Sequence, residues 1–162
     1  MRSDGILEIS GIRTRVVVWL LHRMFILTRG MTIGVRAACF DEAGRVFLVR
    51  HTYVPGWYMP GGGMERGETA LQALAKELQE EGNLEMLGTP ELFHAYFNRN
   101  ASPRDHVLFY RVAVTQTSPR CADREIAESG FFALDALPDG VTAATLRRLQ
   151  ELTGEAPKSD HW

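Results

Sequence analysis

Cysteine is scarce in this chain of 162 residues: Cys39 and Cys121 stand far apart and lack any metal-type spacing. Nothing therefore points to an oxidising compartment, and a cytoplasmic location is the expectation. Cys39 lies in an apolar run and reads as a buried thiol; Cys121, in SPRCADRE, reads as an exposed loop residue. A basic excess is also missing. Lys and Arg number 18 against 20 Asp and Glu, for a net charge of −2, which argues against a dedicated nucleic-acid binder while leaving room for a local phosphate-holding patch. No apolar run reaches the ~20 residues of a membrane span. The nearest approach, Gly11 to Gly30, is broken by His22 and Arg23. Asp4 and Glu8 spoil a secretory leader, and no small-residue cleavage site follows, so a signal peptide is not expected. There is no internal repeat and no dividing linker. What remains, at 45% hydrophobic and 23% charged, is the composition of one soluble domain with a real core.

Within Gly11 to Gly30 there are basic residues and no acid. Val16, Val17, Leu20, Leu21, Met24 and Leu27 form an apolar arc opposite Arg15, His22 and Arg23, so a helix is expected over about 12–28. Packing on its own domain or on a second subunit, as in a homodimer, is the plainer reading. An interfacial membrane helix with Trp19 and the arginines at the headgroups is the sharper one. Strand-like runs follow at Thr32 to Phe40 and Arg45 to His51, joined by the turn Asp41-Glu42-Ala43-Gly44. Further strands are expected at Leu92 to Phe97, His106 to Thr115 and, short, Phe131 to Leu134. Thr117 to Ser129 reads as a polar loop. A last helix over about Thr142 to Leu152 has Leu146 and Leu149 as core anchors, and residues 154–162 read as a loose tail. This order gives an α/β or α+β domain, a mixed β-sheet flanked by helices.

The stretch with most chemistry runs from Gly62 to Leu84. Glycines after Pro60 lead through Glu68 into a helix from about Thr69 to Glu81, whose apolar stripe is Leu71, Leu74 and Leu78. Glu77, Glu80 and Glu81 fall at i, i+3 and i+4 and share the other face. Like charges so placed repel one another, and beside a glycine loop they suit a hard divalent cation with oxygen ligands. A solvated acidic face is the plain alternative. Gly61, Gly62 and Gly63, having no side chains, let the backbone turn sharply and approach metal and phosphate.

The spacing resembles the Nudix box, the signature of the Nudix hydrolases: Gly, five residues, Glu, seven residues, Arg-Glu, an aliphatic, any residue, Glu-Glu, any residue, Gly, an aliphatic. Here it reads Gly62, Glu68, Lys76-Glu77, Leu78, Glu80-Glu81, Asn83, Leu84, so seven of nine defined positions agree. Trp57-Tyr58-Met59-Pro60 also looks like the family's lead-in. Lys76 supplies the charge of the family's arginine without its planar fork. Asn83 replaces a glycine just past the helix, where asparagine is the next most tolerant residue of a left-handed backbone.

The resemblance covers about Met31 to Leu152 and implies a Nudix-type α/β/α sandwich over residues 31–153, preceded by a helical extension, 1–30. It implies a metal-dependent hydrolase that cleaves a diphosphate bond in a nucleoside diphosphate linked to another moiety, such as ADP-ribose, a nucleotide sugar or a nucleoside triphosphate. Magnesium is the implied cofactor, with manganese as a substitute, and Glu77, Glu80 and Glu81 are the implied ligands. Glu68 is either a first-turn acid favoured by the helix dipole or a supporting residue paired with Lys76. The general base or an extra ligand comes from Glu125, from Glu128 or from a box glutamate. Arg50 and Arg104 suit phosphate recognition, and Trp57 or Tyr53 suits stacking on a base. A non-catalytic Nudix domain that binds a nucleotide as a sensor is the second reading.

Overall fold

The computed structural model describes residues 16–21, 23–24 and 30–162, and the chain divides into two compact units at Met31 and Thr32. In the first unit residues 16–21 and 23–24 are helical, with Trp19 exposed and the Arg23 guanidinium 5.0 Å from its ring centre. The remainder of the helix expected over 12–28 lies outside the described residues. Among the described residues no helix is long and apolar enough to cross a membrane.

The second unit contains β1 (Thr32–Phe40), β2 (Val46–His51), α1 (Ala70–Gly82), β3 (Leu84–Phe97), β4 (Asp105–Gln116), β5 (Ile126–Phe132) and α2 (Ala143–Thr153). The sheet order is β3-β4-β1-β2-β5. Only β1 and β4 run parallel; the other neighbours are antiparallel. Alternation along the strands sorts the core into two layers. Val35, Ala37, Cys39, Phe47 and Val49 meet Ala73, Leu74 and Leu78 of α1 on one face. Ala38, Val46, Leu48 and Phe109 meet Leu149 of α2 on the other. The sheet is thus covered by a helix on each side, as in an α/β/α sandwich.

Strands β1 and β2 start as a hairpin. Asp41 accepts the N–H groups of Ala43 and Arg45, and Gly44 takes φ 72°. The two strands pair at Phe40 and Val46 and then part. The segment from Tyr58 to Met64 fills the opening. Val35 N–H donates to Gly62 O at 2.8 Å and Ala37 N–H to Pro60 O at 3.1 Å, while Tyr58 and Val49 exchange both bonds on the β2 side. The glycine loop is therefore held as part of the sheet, directly below α1.

Several local expectations are corrected. Leu71 is 43% exposed and Ala73 takes its place in the α1 stripe. The loop read over Thr117 to Ser129 ends early, because β2 offers its free edge to residues 126–132 and only this pairing makes them a strand. On α2, Leu146 is exposed, and the buried positions beside Leu149 are Thr145, Arg148 and Glu151.

The tail after Gly154 is not loose. Arg148 is fully buried, pairs with Glu151 at 2.7 Å and donates to His161 O at 2.9 Å. Glu151 also accepts the Tyr96 hydroxyl at 2.5 Å and Ser159 N–H at 3.2 Å. The Arg148 guanidinium lies over both the Tyr96 and Trp162 rings, 4.1 and 5.4 Å from their centres. Backbone bonds from Phe97 to Asp160 and from Trp162 to Phe97 complete the attachment. A polar-looking tail becomes ordered because it satisfies a buried ion pair. Removing one member of such a pair strands the other. Arg148→Met is expected to lower unfolding stability by about 3–5 kcal/mol, read by urea denaturation.

Candidate active site

Helix α1 is started by a capping box: Thr69 Oγ1 accepts Gln72 N–H, and the Gln72 side chain accepts Thr69 N–H. It ends on Asn83 at φ 51°, whose N–H returns to Gln79 O at 3.0 Å. With both ends fixed and Leu74 and Leu78 in the core, the glutamate face turns toward the glycine segment.

Glu81 is 5% exposed, and its Oε2 accepts Gly61 N–H at 2.8 Å. Gly61 has φ 138°, and a Cβ there would lie 2.1 Å from Val35 O, so no other residue fits. A Cβ on Gly62 would lie 2.4 Å from the Glu77 carboxylate. Gly63 has open space around it and carries no such demand. Glu77, Glu80, Glu81 and Glu125 line one cavity of about 390 Å³ together with Arg120, Asp123 and Ile126.

Burial pushes the Glu81 carboxyl up to about 7, against the pull of Gly61 N–H and Arg36. Burial, then repulsion from Glu80, raises the Glu77 carboxyl. From the end of β2, His51 Nε2 stands 3.6 Å from Glu81 Oε1. Burial, reinforced by Arg36, holds the His51 imidazolium below its ordinary pKa. Among the described residues, one set of three metal-type side chains has ligand atoms mutually within 4.8 Å: His51, Glu81 and Glu125.

Glu125 reaches the cavity because its loop is anchored. Arg120 donates to Glu80 O at 2.8 Å and to Cys121 O at 2.7 Å and pairs with Asp123. Asp123 in turn accepts the N–H groups of Glu125 and Ile126, each at 2.8 Å. Arg120 first, then these N–H groups, hold the Asp123 carboxyl far below the usual range. Nothing local in the sequence marks Arg120 or Asp123 for this task. Arg36, which donates to Met59 O at 2.9 Å, had one visible signal: a lone charge within an apolar strand.

A match to the NUDIX domain model spans residues 30–154. The chain belongs to the Nudix family. It is 32% identical over 134 residues to the 8-oxo-dGDP phosphatase NUDT18 of Homo sapiens, a match covering 80% of this chain and 41% of that protein. It is 35% identical over 78 residues to an RNA pyrophosphohydrolase of Legionella pneumophila, covering 45% of each. The chain thus spans less than half the length of these curated relatives. Among solved structures it resembles an ADP-ribose pyrophosphatase of Streptococcus suis, with TM-score 0.58 and 26% identity over 81% of this chain and 95% of that one.

The remaining candidates fall on both sides of the Nudix site. Lys76 pairs with Glu68 at 2.9 Å and Glu65 at 3.0 Å, so the basic position of the box holds the incoming loop to α1. Glu68 precedes the cap rather than entering the first turn. Glu65 N–H, then Lys76, lower its carboxyl pKa. Arg50 is turned away: it pairs with Glu128 at 2.6 Å on the side of the sheet that carries Trp57. That pairing also takes Glu128 out of the site. Trp57 is 6% exposed, packed edge-on to Phe132 in the α2-side core, and cannot stack on a base. Arg104 lies exposed on the loop from β3 to β4, outside the cavity lining.

The two raised carboxyls have a consequence for the metal-free Nudix domain. Glu81 holds its proton to about pH 7 in the fold but only to about 4.5 when unfolded. Across that window the folded state binds more protons, so stability in chelator falls as pH rises. Glu81→Gln, which keeps a carbonyl for Gly61, should flatten this slope. It should gain on the order of 3 kcal/mol relative to wild type at the alkaline end, checked by urea titrations at several pH values.

Proposed function

We propose that this Nudix domain is a metal-dependent pyrophosphohydrolase acting on a nucleoside diphosphate joined to another moiety, with small nucleotide-type compounds as substrates. The observation that carries this reading is the convergence of Glu77, Glu80, Glu81 and Glu125 on one cavity beside Gly61 and Gly62. The donors fit a hard divalent ion: several carboxylate oxygens, two of them with raised proton affinity in the ion's absence. Glu77, Glu80 and Glu81 would hold magnesium, with manganese as a substitute. Bound there, the ion supplies charge neutralisation for the diphosphate oxygens and eases attack by water.

The chain's own residues supply the rest. Gly61 lets its segment lie against Val35, and Gly62 leaves room for the Glu77 carboxylate, so the glycine segment packs close against the glutamate face of α1. Glu125 is exposed at the cavity wall, and its loop is fixed through its backbone N–H, which leaves its carboxylate to serve as a further ligand of the ion or to accept a proton from water. Lys76 and Glu68 position the loop entering α1. Among substrates, an 8-oxo-dGDP-like or ADP-ribose-like compound is favoured. The relatives named for those activities align with about four-fifths of this chain, against under half for the RNA pyrophosphohydrolase.

A panel of nucleoside di- and triphosphates, ADP-ribose, nucleotide sugars and dinucleoside polyphosphates tests the reading, with magnesium, manganese or chelator. Metal-dependent release of a nucleoside monophosphate is expected. Glu80→Gln should lower kcat by about 100-fold or more with the circular dichroism unchanged. Tight nucleotide binding without turnover, unaltered by Lys76→Arg, would instead identify a sensor.

A further inference from the structure

We propose that His51 is a nitrogen ligand of the metal site, together with Glu81 and Glu125, and that the site therefore favours first-row transition ions over magnesium. The inference rests on the reading that the cavity holds a divalent ion, and adds to it a residue outside the box.

Three observations carry it. First, His51 is 7% exposed, its Nδ1 is buried with no hydrogen-bond partner, and its Nε2 faces Glu81 Oε1 at 3.6 Å, beyond hydrogen-bond reach. The ligand atom is Nε2, which makes no hydrogen bond among the described residues and has a carboxylate oxygen facing it at a distance one shared ion would bridge. Two atoms bound to one ion at about 2.1 Å with a tetrahedral angle stand about 3.4 Å apart, close to this separation. Glu125 needs only a small side-chain movement to join them, since all three ligand atoms already lie within 4.8 Å.

Second, the backbone aims His51 at this point. The β2–β5 register shifts between Arg50 and His51. The extra residue, Ala127, is on β5, so alternation along β2 is unbroken: Arg50 goes to the Glu128 side, and His51 goes to the α1 side with Phe47 and Val49. Third, the two ligand-bearing segments are tied together. Thr52 N–H donates to Glu125 O at 2.9 Å and the Thr52 hydroxyl to Arg124 O at 2.6 Å. Tyr53 and Tyr58, with ring centres 5.1 and 5.8 Å from the imidazole, restrict its plane.

An imidazole alters ion preference. Magnesium favours oxygen donors, whereas cobalt and zinc accept imidazole readily and bind nitrogen-containing sites more tightly than manganese does. Manganese alone, added to the 162-residue chain, tests the ligand by pulsed electron paramagnetic resonance. A directly bonded histidine nitrogen should appear as ¹⁴N coupling and disappear when the five histidines are ¹⁵N-labelled. This readout needs no variant. In calorimetry, His51→Gln should weaken cobalt about 10-fold or more and magnesium by less than about threefold.

Manganese bound without nitrogen coupling, or cobalt affinity equal in wild type and His51→Gln, overturns the ligand assignment while leaving a metal-dependent hydrolase intact. Failure of wild type to bind any of the three ions overturns both readings.

Discussion

The Glu81 carboxylate lies buried against Gly61 N–H at 2.8 Å, and this bond joins α1 to the segment that separates β1 from β2. Its position is fixed from both sides. On one side Leu74 and Leu78 hold α1 on the sheet. On the other, Gly61 is pressed so closely on Val35 that only a hydrogen atom fits. Shifting α1 by one residue would take Glu81 off Gly61 and Leu78 out of the core together. Core packing and site geometry are therefore one constraint, and the glutamates cannot relax away from each other as they would on a free helix.

The opposite wall depends on a residue of a different kind. Arg120 spreads its donors over Glu80 O, Cys121 O and Asp123, and so pins the loop before β5 to the C-terminal end of α1. Planar, divergent donors suit this task better than a single ammonium point charge. Lys76, by contrast, has two carboxylates to hold close together, Glu65 and Glu68, and a compact ammonium is sufficient there. The use of lysine at the basic position of the box makes physical sense once its partners are known.

What could be read in the sequence was local or periodic. The two faces of α1, the tolerance of Asn83 for a left-handed backbone and the turn at Asp41 to Gly44 all follow from residues a few positions apart. The face bearing Glu77, Glu80 and Glu81 belongs to the same class. What escaped was set by distant partners. Residues 126–132 are extended because β2 leaves them an edge. Arg148 is buried because Glu151, Tyr96 and Trp162 surround it, though its neighbours in sequence suggest a solvated helix face. Arg50 and Trp57 looked suited to phosphate and base, yet strand alternation sends both to the side of the sheet away from the cavity. The same alternation puts His51 on the α1 side with Phe47 and Val49, the extra residue of the register shift, Ala127, being on β5.

The charge balance at the cavity follows from these placements. Five carboxylates line it: Glu77, Glu80, Glu81, Asp123 and Glu125. The nearby cations are already engaged elsewhere: Arg120 with the loop, Arg36 with Met59 O and Lys76 with Glu65 and Glu68. In the bare protein burial first, and repulsion between the carboxylates after it, raises the carboxyls of Glu77 and Glu81. A diphosphate approaching such a wall alone meets repulsion from every side. A site that binds phosphate through arginines would attract its ligand unaided; under the proposed function this one would admit it together with a cation. The same crowding that burdens the fold would then make cation and substrate mutually dependent, each lowering the electrostatic cost of the other.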